Sequence, residues 1–226
     1  VSNNSSQASG GAIALINSNH LLTIEGSTLF GNISSAASGG AAQVLGSLVL
    51  RNSTITGNSA LGSGGGIQIT GGAVTVRNST ITNNTTSSSG GGLQRSTGTS
   101  DFLIDSSIIF GNTGGFGPDL NASNLTVNRS LIGSKLTTTN FVGDSFTNSF
   151  LGVDPRLGPL ADNGGPTLTR LPLNTSPAIN TGSNPDNLLS DQRGTGFPRV
   201  IGTAIDIGAV ELDGISISVN NNAVQR

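Results

Sequence analysis

Short apolar runs recur along the chain at a nearly fixed step, each closed off by glycine, asparagine or serine. Leu48-Val49-Leu50, Ile67-Gln68-Ile69 and Val74-Thr75-Val76 run apolar or alternate, and Ile55 and Ile81 stand alone between threonines. Runs this short read as strands rather than helices, and no window keeps apolar residues at helical spacing over successive turns. Glycine at this density would also cost a helix about 1 kcal/mol per residue relative to alanine.

The runs belong to a repeat. Arg51 to Ile67 reads RNSTITGNSALGSGGGI, and Arg77 to Leu93 reads RNSTITNNTTSSSGGGL. Asn4, Asn32, Asn58, Asn84 and Asn112 mark equivalent positions, with spacings of 28, 26, 26 and 28 residues. Glycine pairs follow the first four: Gly10-Gly11, Gly39-Gly40, Gly65-Gly66 and Gly91-Gly92. A period of this length is the mark of a solenoid. Three short strands per repeat predict an all-β, right-handed parallel β-helix with one coil every 26–28 residues. In that fold each residue stacks on its equivalent about 4.8 Å away. Ile55 then lies over Ile81 in a column with Leu29 and Ile109, and the five asparagines form a hydrogen-bonded ladder at a bend.

The pattern changes after Leu131-Ile132-Gly133. Glu25 is the only acidic residue in the first 100 positions, the other 11 lie beyond it, and most of the eight prolines fall between Pro155 and Pro198. Solenoids need atypical end pieces that close the core. The expected organisation is therefore coils over 1–133, a C-terminal cap over 134–213, and a short strand with a polar tail over 214–226. Val1-Ser2-Asn3-Asn4 aligns with Ile55-Thr56-Gly57-Asn58, so the chain opens in mid-repeat without a Met, as expected of a processed or excised product.

Composition narrows the function classes. The net charge of -2 supplies no basic footprint for nucleic acid, and no polybasic segment suggests a membrane surface. No run approaches the roughly 20 apolar residues of a membrane-spanning helix, so membrane insertion is not expected. The absence of cysteine excludes a disulfide framework and thiol chemistry.

Two stretches carry a resemblance. The NSTITGN and GGGI elements of the body, and Gly10-Gly11-Ala12-Ile13, are similar to repeats of exported bacterial β-helix proteins and polymorphic outer-membrane proteins. The string from Asp154 to Gly182, DPRLGPLADNGGPTLTRLPLNTSPAINTG, continues into Asp191-Gln192-Arg193-Gly194 and Asp206-Ile207-Gly208-Ala209-Val210-Glu211. It resembles the choice-of-anchor Q type of bacterial surface protein. The resemblance implies a β-helix, export and attachment at a cell surface, and supplies no active site to carry over.

Candidate chemistry is sparse. Asp101 and Asp105 are the only closely spaced acids on a wall, and four residues apart on a strand they share a face. A polysaccharide lyase or glycosidase would use such a pair, but its usual Trp and Tyr platforms are absent. His20, the single histidine, sits in a turn with no second ligand nearby. In the cap, Arg193 or Arg199 is expected to pair with Asp206 or Glu211 and lock the cap onto the last coil. A calcium ion held by the cap carboxylates is the alternative. The stacked pairs Thr54/Thr56 and Thr80/Thr82 suit exposed strands, and the Asn-x-Ser/Thr triplets read as by-products of the repeat. The expected function is that of a secreted or cell-surface structural or adhesive protein without catalysis. It would associate with itself end to end, with a neighbouring surface protein or with a glycan. A carbohydrate-active enzyme and a calcium-stabilised binding module are the alternatives.

Overall fold

In the computed structural model, which describes residues 1–97, 100–134 and 144–212, the repeat closes into a parallel β-solenoid of about five turns. Four walls run its length. Following one coil, the first wall holds Ser5–Ser6, Ile33–Ser34, Ser59–Ala60 and Thr85–Thr86. The second holds Ile13–Leu15, Ala42–Val44, Ile67–Ile69, Leu93–Arg95 and Leu120–Asn121. The third stacks Leu21–Glu25, Ser47–Arg51, Val74–Arg77, Phe102–Asp105, Leu125–Asn128 and Ser145–Thr147. The fourth stacks Thr28–Phe30, Thr54–Thr56, Thr80–Thr82, Ile108–Phe110, Leu131–Ile132 and Phe150–Leu151.

A coil thus has four strands where the apolar pattern predicts three. The additional wall is two residues wide and turns a small side chain inward at Ser34, Ala60 and Thr86. It has no apolar run to announce it. The last two walls also continue beyond residue 133, through Ser145–Thr147 and Phe150–Leu151.

Register is set by the inward apolar positions, because a slip of one residue would turn each of them to solvent. Ile55 pairs with Leu29 on one side and Ile81 on the other, and the column continues through Ile109 and Ile132. On the third wall Leu50, Val76, Ile104 and Val127 do the same, all of them fully buried. Each such side chain contributes about 1.5–3 kcal/mol by leaving water. The glycine pairs let coils touch backbone to backbone: a Cβ on Gly40 would lie 2.0 Å from the Gly65 carbonyl oxygen.

The C-terminal region is not an end cap. Residues 154–212 form a strap that lies lengthwise on the outer face of the fourth wall and reaches back to the first coil. The Leu168 carbonyl accepts the Thr28 hydroxyl at 2.5 Å, and Gln192 bridges Thr28 and Thr54. Further along, Ala209 N–H donates to Thr80 Oγ1, and Gly208 N–H to the Ser106 carbonyl. Thr54, Thr56, Thr80 and Thr82 are consequently buried under 4% exposed, not presented to solvent as expected. The wall changes chemistry along its length and the strap matches it. Over the threonines lie Gln192 and Thr167; over Ile108 and Leu131 lie Ala178 and Ile207, in a second apolar cluster with Phe110, Phe150 and Leu157. The strand and tail expected over 214–226 lie outside the described residues.

Candidate functional site

The asparagines occupy one corner, between the fourth and first walls. Asn4 Nδ2 donates to Asn32 Oδ1 at 2.9 Å, Asn32 to Asn58 at 2.9 Å, Asn58 to Asn84 at 2.8 Å, and Asn84 to Asn112 at 2.9 Å. Each rung's backbone N–H donates to the same oxygen. The column ends on a residue the repeat does not mark. Asp119 Oδ1 accepts Asn112 N–H at 2.7 Å and Nδ2 at 2.8 Å, while Oδ2 accepts Ser134 N–H at 2.6 Å. An inner rung must accept on one side and donate on the other, which an amide does. The end rung accepts on both, which a carboxylate does. Burial raises the Asp119 carboxyl above its usual range, against the pull of these N–H donors.

A second column stands at the corner before the fourth wall. Ser27, Ser53, Ser79, Ser107 and Ser130 each donate N–H to the hydroxyl oxygen of the next serine, ending on Ser149. Each hydroxyl donates to the carbonyl two residues back, as Ser53 does to Arg51. The residues just before them, Gly26, Asn52, Asn78, Ser106, Arg129 and Asn148, all have positive φ between 42° and 54°. The Asn-x-Ser/Thr triplets are therefore turn chemistry: Asn52 and Asn78 take the left-handed corner and donate to the strap carbonyls of Ser190 and Ser183. The recurring Asn-Ser-Thr was the legible signal for this column.

The strap is held by a buried charge cluster, in which Arg199 pairs with Glu211, one of the expected pairings, while Arg193 pairs with Asp191 instead. The Arg193 side chain pairs with Asp191 through Nη2 at 2.7 Å and donates to the Glu211 carbonyl at 2.8 Å. It also stacks on the Phe197 ring at 4.1 Å. Arg199, fully buried, stands 3.5 Å from Glu211 Oε1 and donates to the carbonyls of Asp206 and Gly208. The carboxylates in turn bind backbone N–H groups: Asp206 holds Asn180 and Leu212, Asp191 holds Arg193 and Glu211, and Glu211 holds Asp206. These bonds tie the strap to itself rather than to the last coil. Three acids share two guanidinium groups, and burial pushes the Glu211 carboxyl up to about 8. Burial raises Asp206 as well. Among the described residues no group of three or more His, Cys, Asp and Glu is placed to hold a metal ion.

The strap also leaves openings along its seams, two of them among the described residues. On the strand-start side, Arg129, Asn148, Ser149 and Phe150 face Asn180 and Thr181 across a space of about 460 Å³. On the strand-end side, Thr82, Asn83, Phe110 and Gly111 face Asp154, Pro155, Leu157 and Arg170 across about 180 Å³. Arg170 there has a buried Nε without a hydrogen-bond partner, and burial lowers its pKa. Asp101 and Asp105 do not make a free pair: Asp101 is exposed just before its strand, whereas Asp105 accepts the Ser183 hydroxyl of the strap at 2.5 Å. His20 is exposed in its turn. Among the described residues no helix is long and apolar enough to cross a membrane.

By class, this is a parallel β-solenoid with a strapped wall. No family model matches the chain, and no curated protein or solved structure matches it.

Proposed function

We propose that the chain is a non-catalytic structural or adhesive module of an exported, cell-surface protein. The observation that carries this reading is where its polar chemistry goes. The asparagine and serine columns, and the buried carboxyl groups of Asp119, Asp191, Asp206 and Glu211, bond to the chain's own backbone and guanidinium groups. That is the chemistry of a rigid rod. Export and surface attachment are supported by the resemblance of Asp154 to Glu211 to choice-of-anchor Q proteins. End-to-end association is supported by the way each coil is completed by its neighbours, as Ile55 is between Leu29 and Ile81, since parallel strand edges template further pairing.

Electron microscopy with light scattering at rising concentration tests the assembly: rods lengthening in whole-module steps are expected. A strict monomer at every concentration refutes self-association. A polysaccharide panel tests the absence of catalysis, and release of reducing or unsaturated ends that disappears in Asp101→Asn would overturn it.

A further inference from the structure

Most charged side chains that the fold draws out of water have a counter-charge or a carbonyl. Arg193 faces Asp191, Arg77 faces Asp186, and Arg95 donates to the carbonyls of Ser100 and Ser123. Arg170 does not. It comes off the strap into the strand-end seam, half-buried, with neither an ion pair nor a hydrogen bond among the described residues. Burying the Arg170 Nε–H without a partner is unfavourable, and the side chain lines a cavity of about 180 Å³.

The rest of that cavity has a mixed character. Phe110 is half-buried and offers apolar surface, Leu157 and Pro155 close one side, and the exposed Asn83 supplies an amide. Asp154 stands on the same rim, its Oδ1 accepting Arg156 N–H, and keeps acceptor capacity for a hydroxyl donor. A ligand fitting all of these carries one anionic group, hydroxyls and an apolar face. It is also small, since sites for drug-sized molecules run to about 300–1,000 Å³. A simple dianion would meet repulsion from Asp154, and a purely apolar group would leave Arg170 uncompensated.

The geometry points to a subsite for a carboxylate-bearing sugar residue, with Arg170 on the carboxylate, Asp154 and Asn83 on hydroxyls and Phe110 against the ring face. Arg170 presents the planar fork that matches a carboxylate. The assignment builds on the adhesive part of the proposed function alone, and the rod and its assembly stand without it.

The test follows the Arg170 Nε–H resonance of the whole chain while D-glucuronate, D-glucose or acetate is titrated in. Glucuronate should give a saturable shift that weakens with added salt, acetate a much weaker one, and glucose none over the same range. Arg170→Gln should weaken glucuronate binding at least tenfold, and Arg170→Lys should retain part of it. Arg170→Gln should also melt no lower than the parent chain, because the arginine makes no internal bond to lose among the described residues. A pronounced fall in melting temperature would reassign Arg170 to scaffolding. Equal binding of glucose and glucuronate, unchanged affinity in Arg170→Gln, or no binding at all overturns the subsite. Acetate binding as tightly as glucuronate reduces it to a bare carboxylate site and overturns the sugar assignment. Rod assembly, read separately by microscopy, is unaffected by any of these outcomes.

Discussion

Replacing Asn84 with alanine removes one rung from the middle of the asparagine column. Asn84 is fully buried; its Nδ2 donates to Asn112 Oδ1 at 2.9 Å and to the carbonyls of Ile55 and Thr82 at 3.0 and 3.1 Å. Its oxygen accepts Asn58 N–H at 3.0 Å and Asn58 Nδ2 at 2.8 Å. Without it, Asn58 Nδ2 still reaches the carbonyls of Leu29 and Thr56, and Asn112 Oδ1 keeps the backbone N–H of residue 84. The Asn58 N–H loses its acceptor while remaining buried. One orphaned donor costs about 1–3 kcal/mol, and the other lost bonds add about 1 kcal/mol each. The expected loss is about 3–5 kcal/mol, or a melting temperature lower by roughly 6–20 °C for a chain of this size. Asn4→Ala is the control: Asn4 is exposed and only donates along the column, so nothing is orphaned and the loss should stay below about 1 kcal/mol. Urea titration of both variants reads the totals. Because solenoid coils can open separately, hydrogen exchange at the Asn58 amide reads the local effect. If Asn84→Ala falls within 1 kcal/mol of Asn4→Ala (about the cost of one ordinary bond), the column is not what holds the coils.

Three further outcomes are expected. Asp119→Asn should cost about 1–3 kcal/mol by urea midpoint, although asparagine is the repeat's own rung residue, because an NH2 would then face Ser134 N–H or the Asn112 donors; a neutral result would refute the end-rung argument. Gln192→Ala removes the bridge to Thr28, Thr54 and Thr167. It should raise hydrogen exchange and proteolysis near the exposed Leu189 while wall amides stay protected, and equal loosening of wall and strap would count against a separable strap. Glu211 holds its proton to about 8 when folded, against 4.5 unfolded. The folded state therefore binds that proton more tightly, so its contribution is full below pH 4.5 and is lost as pH rises towards 8. The upper limit is about 4–5 kcal/mol at about 1.4 kcal/mol per pH unit. Urea midpoints across this window should fall for the parent chain and flatten in Glu211→Gln; a parent chain that gains stability from pH 5 to 8 contradicts this.

What was legible in the chain was what repeats locally. Ile55 and Ile81 recur at one coil's spacing with glycines between, so their stacking follows from period and polarity alone. The two-residue first wall was not legible, because Ser59–Ala60 and Thr85–Thr86 carry no apolar contrast. Asp119 carries no mark of the repeat for a related reason: it ends the asparagine column only because the chain between Asn112 and Asp119 doubles back upon it. Thr54 and Thr80 read as surface residues in the sequence, since alternation marks the side of a strand and says nothing about what covers that side.

The sequence by itself determined the parallel stacking, the register and the asparagine column, because each arises between residues one coil apart that share one local pattern. The direction taken by residues 154–212 was decided only by the tertiary structure. Its contacts join positions far apart in the chain, such as Thr28 to Gln192 and Arg77 to Asp186, and no periodicity records them. The same strap buries the threonine face, occupies Asp105 and leaves the Arg170 Nε without a partner among the described residues. The chemistry open to a partner is thus set where an irregular segment crosses a regular one, since the repeat spends its own polar groups on itself.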